Sequence, residues 1–250
     1  MFQRADTFPV SETLIAKFRS YLDINQDERE ALQKLPFRPM EFEPGALTVK
    51  DGDRPTSSQM VLSGVLGTSK VLSNGRQQIA AIHIKGDWPD LLSLHLGHMD
   101  SDLRVLTRAT VAFVEHAEIR RLYRLHPRLG DVFWKFTLIE AAIFRHWVVN
   151  VGQRAAEPRL AHLLCEFVTR ADQVGLKQDG GYRLALTQND LADCTGMSTV
   201  HVNRSLQSIR ARQFITWERG VLRVLDRVGL AALGDFWPDY LHLPAPDEHM

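Results

Sequence analysis

Cysteine is scarce in this chain: Cys165 and Cys194 are the only two in 250 residues. Two thiols exclude a disulfide framework and a four-cysteine zinc or iron–sulfur site. An excess of charge of one sign is missing as well, since 30 Lys+Arg face 30 Asp+Glu and the formal net charge is zero. That balance excludes a wholesale polycation, but it leaves room for a local basic face, because a site feels its local field more than the sum. Long apolar runs are also absent, and no window approaches the roughly 18 uncharged apolar residues of a membrane span. Residues 1–20 carry Arg4, Asp6, Glu12 and Lys17 and no apolar core, so no signal peptide is expected and a cytoplasmic protein is. What is present is ordinary for a folded chain: 44% hydrophobic and 24% charged residues can bury a real core. The length fits one large or two modest domains.

Three stretches differ in hydrophobic period. Residues 36–116 alternate short apolar runs with turn signals, the breaks falling at Gly45, Gly52, Gly64, Gly75 and Gly86. Such spacing predicts a sandwich, jelly roll or barrel, with Asn74-Gly75 as a hairpin turn. Residues 11–34 read as one or two short helices. Over 127–152 the period becomes helical: Leu129, Val132, Phe136, Ile139 and Ile143 form a 3-4-3-4 seam, and Phe133, Ala142, Phe144, Trp147 and Val148 widen it. A stripe this wide needs more than one neighbour, so the helix is either the core of its own domain or a dimer helix shared with a twin. Residues 155–236 are helical with one β element. The Pro244-Ala245-Pro246-Asp247-Glu248 tail is expected to fray.

From Leu186 the chain reads LTQNDLADCTGMSTVHVNRSLQSIRARQFI. Thr187 suits an N-cap, with Asp190 in the first turn of a helix over Gln188–Cys194. Gly196 permits a sharp turn, and Ser198 caps a second helix running to about Ala211. Ala192 at the helix crossing, Gly196 in the turn and Val202 on the buried face form the packing signature of a helix-turn-helix. FITWERGVLRVLD then pairs two β runs across Glu218-Arg219-Gly220, as a wing does. Between residues 196 and 225 five arginines (204, 210, 212, 219, 223) face one acid, Glu218. Residues 153–228 carry a net charge of +3 and residues 229–250 a net charge of −4, so the neutral total conceals a basic segment and an acidic tail.

A glycine-punctuated β-roll (VLSGVLGTSKVLSNGRQQIAAIHIKGD), a long apolar helix and the segment just quoted, preceded by VNVGQRAAEPRLAHLLCEF, resemble the Crp/Fnr family of bacterial transcription regulators over about residues 20–235. The resemblance implies an α+β chain. Residues 1–126 would form a double-stranded β-helix (jelly-roll) sensor domain like a cyclic-nucleotide-binding domain, and 127–152 a dimerisation helix using the Leu129, Val132, Phe136, Ile139 and Ile143 seam. Residues 153–236 would form a winged helix-turn-helix, and 237–250 a tail. It implies a homodimer on a palindromic operator in double-stranded DNA, with RNA polymerase as a candidate partner. Thr199, Val200 and Arg204 fall at positions that commonly face bases, and Asn203 at one used by some members. Thr187, Gln188, Asn189, Ser198 and His201 are phosphate-side candidates. Many members carry Glu where this chain has Val200; a valine cannot accept from cytosine, so a different operator is expected, with a thymine methyl contact open to it.

The sensor half departs from the nucleotide-binding pattern. After Gly86-Asp87 the Gly-Glu pair that holds a ribose is replaced by Pro89-Asp90, and neither Arg104 nor Arg108 falls securely in the phosphate register, which points away from cyclic AMP. With no cysteine before Cys165, an N-terminal iron–sulfur cluster is excluded. His95 and His98 on one helical face lack a visible third metal ligand, so no metal and no cofactor is expected, and the effector stays open. Cys194 inside the helix-turn-helix is either a redox switch or a buried inert thiol, with the inert reading favoured. His83, Asp87 and His116 show no catalytic spacing, so no enzyme is expected. The competing reading is a small-molecule-binding β-roll that docks on a protein partner.

Overall fold

Two short amphipathic helices open the described chain, residues 10–243 of a computed structural model. Helix α1 (Val10–Arg19) turns Leu14, Ile15 and Phe18 inward. Helix α2 (Gln26–Gln33) begins at a capping box, in which Asn25 Oδ1 accepts the Glu28 N–H and Glu28 Oε2 accepts the Asn25 N–H, both at 2.9 Å. Strands β1 (Arg38–Phe42), β2 (Leu47–Val49), β3 (Ser57–Ser63), β4 (Leu66–Val71) and β5 (Gln77–His83) follow. A single helical turn, α3 (Ser93–Leu96), precedes β6 (Asp102–Val105) and β7 (Ala109–Glu115). Helices α4 (His116–Leu125), α5 (Pro127–Gln153) and α6 (Ala156–Gln173) come next. The remainder is β8 (Lys177–Gln178), β9 (Gly181–Arg183), α7 (Gln188–Thr195), α8 (Thr199–Ala211), β10 (Ile215–Glu218), β11 (Val221–Val224), α9 (Arg227–Gly234) and a 3-10 turn, Pro238–Leu241. The described residues form two compact units, one of residues 10–66 with 83–138 and one of residues 67–82 with 139–243.

In the first unit β7 pairs antiparallel with β1 on one side and β3 on the other, and β2 pairs with β6. Strand β3 is buried on both faces, and its period of two sends neighbouring residues to different cores. Val61 joins Leu66, Val105, Ala109 and Val111. Met60 joins a second core built from Leu14, Phe18, Leu32, Trp88, Ile119, Leu129 and Phe133. Edge-to-face rings tie that core together, with Phe18–Phe133 centroids at 4.9 Å and Trp88–Phe133 at 5.1 Å. Gly64 closes the turn after β3 at φ +80°, and a Cβ there would lie 2.4 Å from the Arg108 carbonyl oxygen. No other residue fits that position.

The α5 seam expected to meet a twin is used inside the chain instead. Leu129, Val132 and Phe136 are buried in the second core, packed with Phe18 and Phe133, and Ile143 is buried as well. Only Ile139 of the five is half-exposed. The apolar residues that α5 leaves exposed are Trp134, Leu138, Phe144, Val148 and Val149. Periodicity identifies an apolar face, but it does not say whether that face is covered by the same chain.

Asp90 is fully buried in the first unit. Its Oδ1 accepts the Gln59 N–H at 2.9 Å, while its Oδ2 has no hydrogen-bond partner among the described residues. Burial pushes the carboxyl up to about 7, against the pull of the Gln59 hydrogen bond. A folded-state pKa above the unfolded one means the fold holds the proton more tightly than the unfolded chain. Its contribution is therefore fully present below pH 3.8 and is lost as pH rises to about 7. Asp90→Asn keeps an acceptor for the Gln59 N–H and removes the charge. The variant is expected to gain on the native chain by up to about 4 kcal/mol between pH 4 and pH 8 in urea unfolding. A stability difference that does not change with pH would contradict a buried, late-ionising Asp90.

In the second unit β4 and β5 form the hairpin expected at Asn74-Gly75, with Gly75 at φ +80°. The second sheet has the order β10-β11-β9-β8, α8 meets β10, and α6 packs against α7, α8 and α9. Helix α6 buries Leu160, Leu163, Leu164 and Phe167, and also a charge, Glu166. The Trp147 indole N–H lies 3.0 Å from both carboxylate oxygens of Glu166. Tyr240 Oη donates to Oε2 at 2.8 Å, and Arg170 Nη1 lies 3.3 Å from Oε1 while donating to the Ile82 carbonyl at 3.0 Å. His146 stacks on Tyr240 at 3.7 Å, and Tyr240 Oη sits 3.2 Å from His162 Nε2. Burial depresses His162 to about 4. Residues 237–243, which the sequence suggests are part of a tail, are thus packed structure, because Tyr240 supplies a donor that Glu166 needs. The expected fraying of residues 244–248 lies outside the described residues.

Candidate nucleic-acid interface

Local chemistry sets both helices of the 187–211 segment. Thr187 Oγ1 accepts the Asp190 N–H at 3.1 Å, and Asp190 Oδ2 accepts the Thr187 N–H at 2.7 Å, a complete capping box for α7. Gly196 ends α7 at φ +63°, a left-handed conformation that glycine adopts without strain. The carbonyls of the last turn are held from outside: Arg159 Nη1 donates to Thr195 O and Gln78 Nε2 to Asp193 O, each at 2.8 Å. Ser198 Oγ then accepts the His201 N–H at 3.3 Å and starts α8. Val202, Leu206 and Ile209 point into the unit together with Leu191 and Ala192 of α7. The opposite face of α8 follows i, i+3, i+4, i+7 spacing through Val200, Asn203, Arg204 and Gln207.

On that face Val200 is 64% exposed, and His201, Arg204 and Gln207 are exposed too. Thr199 and Asn203 are half-buried, and Gln188 and Asn189 lie exposed at the start of α7. The structure gathers these candidates at the N-terminal ends of α7 and α8. The hydroxyls of Thr187 and Ser198 are engaged as caps. Asn203 Nδ2 donates to Gln188 Oε1 at 2.7 Å. Gln207 joins the face without being a sequence candidate; its seven-residue offset from Val200 is the signal that could have found it.

The wing is a tight hairpin in which β10 pairs with β11 and Trp217 lies opposite Leu222. Arg219 and Gly220 sit at φ +48° and +74°, so both central residues of the two-residue loop have positive φ. The five arginines of this region are not equivalent. Arg210 Nη2 donates to the Trp217 carbonyl at 2.7 Å and ties α8 to the wing, and Arg212 pairs with Glu157 at 3.0 Å. Arg204, Arg219 and Arg223 have no partner among the described residues.

The structure bears on two sequence alternatives. Cys194 is buried and its thiol is pushed well above the ordinary value, first by burial and then by Asp190 and Asp193. Burial pushes Cys165 up to about 12. Both thiols are held toward the protonated form, which favours the inert reading. His95 and His98 do not share a helical face, because α3 ends at Leu96 and Gly97 takes a left-handed φ of +75°.

A strand-rich unit followed by a buttressed, capped and winged helix-turn-helix is the architecture of a DNA-binding transcriptional regulator. Similarity to known proteins agrees with it. A cyclic nucleotide-binding domain family matches residues 39–126, and a Crp-like helix-turn-helix domain family matches residues 158–233. The transcriptional activator protein FnrA of Stutzerimonas stutzeri is 22% identical over 212 residues, covering 85% of this chain and 86% of the relative. The fumarate and nitrate reduction regulatory protein of Vibrio cholerae is 21% identical over 210 residues, or 84% of each chain. Among solved structures, FixK2 from Bradyrhizobium japonicum superposes with a TM-score of 0.72 at 20% identity, covering 80% of this chain and 98% of that one. A CooA mutant from Carboxydothermus hydrogenoformans superposes with a TM-score of 0.63 at 16% identity, covering 93% and 98%. The chain belongs to the Crp/Fnr family of transcriptional regulators and carries that family's helix-turn-helix DNA-binding domain. No described helix is long and apolar enough to cross a membrane.

Asp90, where the ribose-binding Gly-Glu pair would stand, is turned to the Gln59 N–H. Arg108 is a surface residue paired with Glu41 at 2.9 Å and Glu43 at 3.6 Å.

Proposed function

We propose that this regulator binds a palindromic operator as a homodimer, places α8 of each copy in the major groove, and does so without cyclic AMP. The observation that carries the reading is the division of α8: Val202, Leu206 and Ile209 are buried, while Val200, Asn203, Arg204 and Gln207 form a polar and apolar face turned outward. Such a face at the start of a recognition helix is placed to meet base edges. The dimer is supported by the apolar stripe of Trp134, Leu138, Ala141, Phe144 and Val148 on α5. Two copies joined along it would read half-sites about 34 Å apart, one helical turn of DNA. A regulator of this kind works in the cytoplasm, and the relatives named as transcriptional activators support RNA polymerase as a partner.

Selection of bound duplexes from a randomised pool, followed by a salt titration, tests this reading. The selected palindrome is expected to bind far more tightly than random duplex, with log K falling linearly in log salt. Arg204→Ala should cost about 1–3 kcal/mol on the selected site and relax its preference at one position of each half-site. Equal binding of selected and random duplexes at every salt concentration would sink the proposal.

A further inference from the structure

The bond from Asn203 Nδ2 to Gln188 Oε1 joins the first residue of α7 to the reading face of α8 across the helix-turn-helix. At 2.7 Å it links two side-chain amides that the sequence places fifteen residues apart. A free asparagine at this position would rotate about its side-chain bonds and present oxygen and nitrogen in either order. Held by an acceptor, its NH₂ group is fixed, and its oxygen is fixed with it. Asn203 is half-buried while its neighbour Arg204 and Val200, one turn earlier, are exposed, so its amide sits at the base of the reading face.

We propose that Gln188 is a positioning residue that makes Asn203 the adenine reader of this regulator, an inference that rests on the DNA-binding reading above. A primary amide recognises adenine in the major groove through two parallel bonds. Its oxygen accepts from N6–H, and the N–H on the same side as that oxygen donates to N7. Gln188 takes the other N–H, on the side away from Oδ1. The carbonyl and the remaining N–H of Asn203 are then left as an ordered pair of the kind adenine requires. Gln188 keeps its own NH₂ group as two donors, and Asn203 keeps its full recognition edge. Val200 on the same face offers no hydrogen bond, so the hydrogen-bonding discrimination carried by this part of α8 falls to Asn203 and Arg204. The half-site accordingly contains an A·T pair whose adenine lies under Asn203.

The alternative role for Gln188, direct binding of a phosphate, predicts a different result. If Gln188 held a phosphate, Gln188→Ala would weaken binding to all sequences alike and lower the salt slope. Removal of a positioning bond would weaken discrimination at one base pair. The experiment uses the full chain and the duplex selected by the native protein, with each base pair of one half-site changed in turn. Asn203→Ala is expected to reduce the preference for adenine at a single position by roughly ten- to a hundredfold. Gln188→Ala should reduce the preference at that same position, and the double variant should be no worse than Asn203→Ala alone. Gln188→Glu keeps the acceptor for Asn203 but adds a negative charge near DNA. It should bind more weakly to every duplex while retaining the adenine preference. Gln188 is exposed and Asn203 half-buried, and neither belongs to the buried core, so unchanged circular dichroism and melting temperature are expected for all variants. If the native protein selects a site but the two single variants act additively, or at different positions, the positioning role is overturned and the DNA-binding reading stands. If the native protein selects no site, both are overturned.

Discussion

Glu166→Ala is expected to remove about 3–5 kcal/mol of stability at pH 7, enough to leave the second unit largely unfolded in moderate urea. The carboxylate is fully buried and receives Trp147 from α5, Arg170 from its own helix and Tyr240 from the 3-10 turn. Removing it takes the carboxylate away from a guanidinium with little exposure and from two neutral donors in one step, although Arg170 keeps the Ile82 carbonyl and Tyr240 keeps His162 Nε2. Breaking a buried charged pair from one side costs this much because the surviving charge loses its compensation. The Trp147 indole N–H, left without its acceptor, adds its own desolvation penalty. Glu166→Gln retains an acceptor oxygen for the indole or the phenol and should lose distinctly less. Urea unfolding followed through tryptophan fluorescence, with circular dichroism alongside, gives the comparison. Equal stabilities of the alanine variant and the native chain would mean that Glu166 is not the anchor its hydrogen bonds describe.

The second large effect concerns assembly. Phe144→Asp together with Leu138→Asp places two charges in the exposed apolar stripe of α5 and touches nothing in either buried core. The protein is expected to keep its circular dichroism, sediment as a monomer, and lose affinity for a full palindrome by about a hundredfold or more. That loss follows because one recognition helix no longer places the other at effective concentrations in the millimolar range. Affinity for an isolated half-site should change little. Phe136→Ala, in the seam that periodicity singles out, is expected to behave differently. It should cost about 3–5 kcal/mol of fold stability through the cavity it opens beside Phe18 and Phe133. Sedimentation of the charged variant as a stable dimer would place the subunit interface elsewhere on the chain.

The contrast between these two α5 variants marks where sequence reading succeeds and where it stops. The helix-turn-helix is legible residue by residue because its determinants are local: a capping residue, a small residue at the crossing, a left-handed glycine and a second cap, all within sixteen positions. The five-residue seam is legible as apolar, but its neighbour is not. Phe18, which covers Phe136 and Phe133, comes from a helix more than a hundred residues away. Tyr240 escapes notice for the same reason, since nothing near it in sequence announces the buried carboxylate it serves. Gln188 and Asn203 both stand out as candidates, but their bond depends on the crossing of two helices. The five arginines likewise look alike in sequence, and only the fold separates Arg210 and Arg212, which hold structure together, from the other three.

The Glu166 cluster also bears on the order in which this chain can finish folding. The caps of α7 and α8 depend on neighbours in sequence, and local contacts of that kind form early. Glu166 waits on groups that arrive from both directions, with Ile82 lying 88 residues before Arg170 and Tyr240 lying 74 residues after Glu166. Until the final turn docks, a nascent chain therefore carries a carboxylate that lacks its phenol donor. Tyr240→Phe should accordingly slow the last kinetic phase of refolding more than it changes the formation of the recognition helix. The reading head is capped from within its own segment, whereas the clasp that locks its unit needs a residue 74 positions away.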